Sequence, residues 1–204
     1  MELPNKYRLL GLDNSRYCTG WCVIDVENTN MKLIDYGFLN TKSIKDEGDT
    51  LVFIEKSLNN IIKQYNPNYI AAEQMFVGKN SETAMVLSHI HGVMLLTAKK
   101  LNISVQYYAV MTMKSCVLGG IKTKKEDGTK KTGDEMKKEV ADKIIEIFGI
   151  NNFIKPFTND VTDAISAAVT FVLKHKDNNN TINLKGKKNK KNTKNTKGNK
   201  NEKS

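Results

Sequence analysis

The sequence contains no apolar run of the roughly 18 to 20 residues that a membrane-spanning helix needs. Its polar start, MELPNKYR, is not a signal peptide. These two absences lead to the expectation of a soluble, cytoplasmic protein with no membrane partner. Cysteine is scarce: Cys18, Cys22 and Cys116 are odd in number, and a single CxxxC without a second ligand pair is a poor zinc signature. Reduced, buried thiols are the expected state. Arginine is scarcer, with only Arg8 and Arg16, so lysine carries the positive charge, a bias that an A/T-rich gene would also produce. The final stretch, residues 177–204, has no aromatic residue and almost no apolar one. It cannot bury a core and is expected to be disordered.

What is present divides the chain in two. With 39% hydrophobic residues among 204, the sequence suits one globular domain, residues 1–176, followed by the Lys/Asn-rich tail, residues 177–204. The tail's nine Lys against two acids give +7, leaving +3 of the total +10 for the domain. Such a tail is either a solvated end or a mobile attractor of phosphate.

The stretch YRLLGLDNSRYCTGWCVID, residues 7–25, organises the domain. It reads as a buried strand (Leu9, Leu10, Leu12), a tight turn, and a second strand from Trp21 to Val26 returning beside the first. Asp13 falls at the end of the first strand. A charge there costs several kcal/mol to bury unless something compensates it; a metal ion would, and the alternative is an Asx turn. Three more carboxylates match the first. Glu73 ends the apolar segment NYIAAE, and Asp160 and Asp163 stand three apart in TNDVTDAISAAVTFV, on one face of a helix. Two strand ends and one helical turn make an acidic cluster suited to two divalent cations.

On three segments, GLDNSRYCTGWCVI, AAEQMFVGKNSETAMVLSHIHGV and DVTDAISAAV, in that order and spanning about Leu9 to Leu173, the chain resembles the RuvC family of Holliday junction resolvases. The resemblance implies an α/β, ribonuclease H-like fold with a mixed five-stranded sheet flanked by helices. It implies a metal-dependent, structure-selective endodeoxyribonuclease that resolves four-way junctions by paired symmetric cleavage in DNA recombination and repair, acting as a homodimer with two Mg2+, for which Mn2+ substitutes. Asp13, Glu73, Asp160 and Asp163 would hold the metal. Lys114 and Lys137 fall where the family has lysines that assist at or near the scissile phosphate. Phe76 corresponds to an aromatic residue that contacts a base near the junction. This chain departs from the family pattern at Asn14 and Ser15, where Pro and Gly are usual, at His89 and His91, which replace Gln and Arg, and in a longer loop after Gly120. None of these departures removes a carboxylate.

The remaining segments fit around that frame. Residues 31–40 alternate as a third strand, and Leu51, Ile54, Leu58, Ile61, Ile62 and Tyr65 recur as a helix closed by Asn66-Pro67. Residues 69–73 make the next strand. A helix from Asn80 or Ser81 to about Lys100 carries Met85, Val86, Leu87, Ile90, Val93, Met94, Leu95 and Leu96 almost all the way round, so both sides need cover. It is either a central core helix or, as the resemblance implies, also a dimer interface. Residues 103–110 read as a fifth strand and 112–118 as a short helix. His89 and His91 lie about 200° apart on their helix, against joint metal binding. A helix with Met136, Val140, Ile144, Ile145 and Phe148 on one face precedes the Asp160 helix, for which Thr158 or Asn159 is the expected cap.

The expected DNA contacts are lysines and one ring. The segment GGIKTKKEDGTKKTGDE, with a hairpin tip at Asp127-Gly128, is a surface loop whose Lys122, Lys124, Lys125, Lys130 and Lys131 could grip a DNA arm. Phe76, in a short loop with Lys79, is either a hydrophobic plug or exposed to a base. Three other readings compete: a relaxed phage-type debranching nuclease acting on forks, three-way junctions and flaps; an actin-like ATP-binding module, which requires a second lobe; and a DNA-binding protein that has lost catalysis, against which the intact carboxylates speak.

Overall fold

The computed structural model describes residues 3–75, 81–150 and 157–188, with side chains to residue 176. A single five-stranded sheet has the order β3-β2-β1-β4-β5, formed by β1 (Lys6–Asn14), β2 (Cys18–Glu27), β3 (Asn30–Asn40), β4 (Tyr69–Glu73) and β5 (Ser104–Tyr108). The first three strands form the expected antiparallel meander, while β4 and β5 run parallel to β1. The helices α1 (Glu47–Tyr65), α2 (Ser81–Lys100), α3 (Val110–Leu118), α4 (Gly133–Phe148) and α5 (Asn159–Lys188) cover the two faces. The architecture is therefore the mixed α/β sheet expected. Among the described residues there is one such sheet and no second lobe of the kind an actin-like module requires.

Alternation along β1 and β2 divides the core into two layers. Leu10, Leu12 and Val23 face α1 and α2, meeting Ile54, Leu58, Ile90 and Met94. Leu9, Cys22, Ile24 and Val26 face α3, α4 and α5, meeting Met113, Ile144, Val161, Ile165 and Phe171. Every one of these side chains is buried. A strand covered on both faces must be apolar at nearly every position, which accounts for the continuous run of β1.

Helix α5 presses on the sheet with almost nothing in between. A Cβ at Gly11 would lie 2.2 Å from the Ala164 carbonyl oxygen, and one at Gly20 would lie 2.1 Å from that of Asp160. Ala164, Ala167 and Ala168 supply the matching small surface. Polar residues on this buried helix satisfy themselves: Thr162, Ser166 and Thr170 donate hydroxyls to carbonyls four residues back, at 3.1, 2.8 and 2.7 Å. The Thr158 hydroxyl accepts the Val161 N–H at 3.3 Å, the expected cap. The α5 backbone continues to Lys188, so the first part of the stretch expected to be disordered extends the packed helix instead. Residues 189–204 lie outside the described residues.

One other expectation changes. The all-round apolar pattern of α2 is not covered: Ile90, Met94, Thr97 and Ala98 are buried, whereas Met85, Leu95 and Leu96 are exposed, Leu96 by 55%. The helix lies on the outside of its layer, and its outward apolar face has no counterpart among the described residues of one chain. The loop after Gly120 is an ordered hairpin, with Lys124 bridged to Lys130 and Gly128 at φ +83° near the anticipated tip. The three cysteines are free thiols, of which Cys22 is buried and Cys18 and Cys116 half-buried.

Replacing Gly20 by Ala puts a methyl group where the Asp160 carbonyl stands, so α5 must back away from the sheet. Gly20→Ala is expected to lose about 1–3 kcal/mol of stability in denaturant unfolding. Unchanged stability would contradict the helix-on-glycine contact.

Candidate metal centre

Parallel pairing of β1 with β4 places Leu12 opposite Ala72, which brings the next residues, Asp13 and Glu73, side by side at the same end of the sheet. The seat of α5 on Gly11 and Gly20 then swings its first turn over that end. One carboxylate oxygen from each of Asp13, Glu73 and Asp163 lies within 4.8 Å of the others. Asp160, expected as a fourth member, lies beside this trio rather than in it. Its charge bears on Asp13 and on Asp163.

The electrostatics of the trio identify what it lacks. Asp13 is 8% exposed; burial first, then the charges of Glu73, Asp163 and Asp160, push its carboxyl up to about 9. Burial and then Asp163 push Glu73 up to about 7. Asp163 is raised, again chiefly by burial. Three carboxylates placed this close, one buried and two half-buried, are stabilised as anions by a cation between them. All their donors are hard oxygens, the set that Mg2+ and its relatives prefer. The residues therefore fit a divalent metal.

Lys114 of α3 and Lys137 of α4, both anticipated, flank the cluster. Each offsets part of the negative charge on Glu73 and Asp163, and Lys137 also acts on Asp13. Lys114 is half-buried and Lys137 exposed. The hairpin lysines divide into two groups. Lys125 pairs with Glu135 at 2.6 Å and Lys131 pairs with Glu139, so both fasten the hairpin to α4. Lys122, Lys124 and Lys130 are exposed. Phe76 and Lys79 lie outside the described residues. His89 pairs with Glu47 at 2.5 Å, and His91 stacks on Tyr107, so both make packing contacts between elements.

Two neighbours of the site carried no functional reading in the sequence. Cys18 borders Asp160, and burial followed by the Asp160 charge raises its thiol to about 12. The signal was alternation: Cys18, Gly20 and Cys22 share the β2 face that α5 covers. Arg16, in the turn after Asp13, pairs with Glu82 at the start of α2, 2.8 Å away. A groove of about 620 Å3 lies at the other end of β1, where Arg8 is already held by Asp25 at 2.5 and 2.8 Å and by the Tyr65 carbonyl at 2.9 Å.

The raised carboxyls have a consequence for stability. Asp13 and Glu73 hold protons more tightly in the folded chain than in the unfolded one, so protons favour folding. This contribution is complete below the ordinary carboxylate range and is lost as pH rises through about 7 for Glu73 and about 9 for Asp13. In chelator, melting temperature is expected to fall across this window. Saturating Mg2+ should remove most of the fall, and Asp13→Asn should reduce it without metal. An identical pH profile for the parent and Asp13→Asn would contradict the burial of this charge.

The comparisons with known proteins identify the family. The family described as "Crossover junction endodeoxyribonuclease RuvC" matches residues 9–171. A protein of that name from Caldicellulosiruptor saccharolyticus is 29% identical over 81% of this chain and 92% of its own length. Another from Prochlorococcus marinus is 31% identical over 80% of this chain and 96% of its own. Among solved structures, the Thermus thermophilus RuvC in complex with Holliday junction substrate superposes with a TM-score of 0.67 at 20% identity, covering 81% of this chain and 93% of that one. The yeast mitochondrial Holliday junction resolvase Ydc2 gives 0.57 at 16% identity, with 86% and 81% covered. With the family matched across the whole stretch that contains Asp13, Glu73, Asp160 and Asp163, this chain belongs to the RuvC family of crossover junction endodeoxyribonucleases.

Proposed function

We propose that the protein is a metal-dependent endodeoxyribonuclease that resolves four-way DNA junctions by paired, symmetric cuts. The observation that carries this reading is the convergence of Asp13, Glu73 and Asp163 at one end of a RuvC-type sheet. Asp13, Glu73 and Asp163, together with Asp160 beside them, would hold two Mg2+ ions, for which Mn2+ would substitute. Metal held there would supply an activated water and charge stabilisation for the departing 3′ oxygen of the cleaved phosphodiester. The protein's own part is to fix the carboxylates before DNA arrives and to supply cations beside them. Lys114 and Lys137 attract the phosphate towards an acidic centre that would otherwise repel it. Lys122, Lys124 and Lys130 extend the basic surface along an arm, while Lys125 and Lys131 hold the hairpin in place. Phe76 and Lys79 contact DNA next to Glu73, and the basic residues after 176 add attraction that does not depend on DNA shape.

Paired cutting requires two sites. The outward face of α2, with Met85, Leu95 and Leu96, and the exposed Val52 and Phe53 of α1 support a homodimer that covers them. An apolar patch of this kind is uncommon on a monomer that stays alone. No helix among the described residues is long and apolar enough to cross a membrane, and we place the protein with its DNA in the cytoplasm.

Cleavage of synthetic four-way, three-way and linear DNAs, mapped on a denaturing gel, tests the reading. Four-way junctions should be nicked at symmetric positions on opposing strands, only with a divalent metal. Asp163→Asn should reduce the rate by about 100-fold or more, since it removes a charge that holds the metal, while junction binding survives. Near-normal cleavage by Asp163→Asn would contradict the site, and equal cutting of forks and flaps would point to a relaxed debranching enzyme.

A further inference from the structure

The β1–β2 turn projects a ring beyond the metal centre. Ser15 donates its backbone N–H to the Cys18 carbonyl at 2.7 Å and its hydroxyl to the same oxygen at 2.9 Å, closing a tight turn with Arg16 and Tyr17 at its corners. The Tyr17 carbonyl accepts the Thr41 N–H at 3.0 Å, which fixes the turn against the end of β3. The Tyr17 side chain is 51% exposed, in contrast to the apolar residues of the adjoining strands. The Arg16 guanidinium sits 5.3 Å from the ring centroid and is itself held by Glu82. The ring is therefore an exposed aromatic surface on a backbone fastened at three points, with a cation over it.

Its position decides what it could meet. Asp13 is four residues before it, at the end of β1, and Cys18, the next residue, borders Asp160. The turn therefore lies at the same end of the sheet as the carboxylates. Arg16 is committed to Glu82 and does not present an uncompensated charge to a phosphate. The ring does not need a charge: a π-face binds a base of any sequence once that base is unstacked, and bases at a branch point are more easily unstacked than those within a duplex. We propose that Tyr17 is a stacking platform of this protein, receiving an unstacked nucleobase beside the cleaved phosphodiester, with Arg16 and Glu82 orienting the ring. The inference rests on the nuclease reading for its substrate, branched DNA.

The test uses the full chain, Tyr17→Ala, Tyr17→Phe and Tyr17→Trp, and four-way junctions carrying 2-aminopurine in turn at each position next to the crossover. Fluorescence is read in chelator, where binding proceeds without cutting, and cleavage is timed separately with Mg2+. Stacking predicts that the parent changes the fluorescence at one of these positions and that Tyr17→Ala does not. It also predicts that Tyr17→Ala cleaves junctions on the order of ten-fold more slowly at unchanged melting temperature, whereas Phe and Trp restore both signals. Two results would overturn it: Tyr17→Ala giving the parental fluorescence change and rate, or a fall in melting with the rate per folded molecule unchanged, which would make the ring a cover for the turn. If the parent binds with the Tyr17-dependent signal but cuts no DNA, the stacking role stands and the nuclease reading fails.

Discussion

The repulsion among Asp13, Glu73 and Asp163 is the interaction on which the rest of the structure depends. Carboxylates this close together, one buried and two half-buried, work against the folded state, and the fold holds them there with two elements that cannot easily give way. Parallel pairing of β1 with β4 fixes Asp13 next to Glu73. The close contact of α5 with Gly11 and Gly20 fixes Asp163 above them. Two apolar layers, one on each face of the sheet, supply the stabilisation that offsets the cost. The strain belongs to the site, and a metal ion relieves it.

This arrangement separates two kinds of cation. Metal between the carboxylates balances charge at the centre, while Lys114 and Lys137 balance it at the rim, where a phosphate must approach. The hairpin carries further lysines. Its attachment to α4 through Lys125 and Lys131 uses two of its five lysines on structure and leaves the exposed ones to face solvent. Exposed ion pairs of this kind contribute little stability singly, but two of them on one hairpin set its direction.

Much of the site was legible in the sequence because its residues sit at ends. An acid closing an apolar strand is conspicuous, and Asp160 with Asp163 advertise a helix face. The sequence does not show how far round that helix the sheet lies, and so could not tell that Asp13, Glu73 and Asp163 converge most tightly with Asp160 next to them. The apolar pattern of α2 was legible, but periodicity cannot distinguish a face covered by the same chain from one left outward, as Leu95 and Leu96 are. Asp127-Gly128 marked the hairpin tip, whereas the pairings of Lys125 and Lys131 exist only once α4 is in place. Arg16 and Tyr17 were read as part of a turn; their importance comes from the exposure and location of that turn.

The most direct test of this account is to count protons released when a divalent metal binds at pH near 7. A weakly buffered chain titrated with Mg2+ or Mn2+ should release protons, because carboxyls raised to about 9 at Asp13 and about 7 at Glu73 must ionise to hold the ion. The release should grow as pH is lowered towards 6, and Asp13→Asn should diminish it. Metal bound with no release of protons would contradict the claim that these three carboxylates are held together and short of a cation.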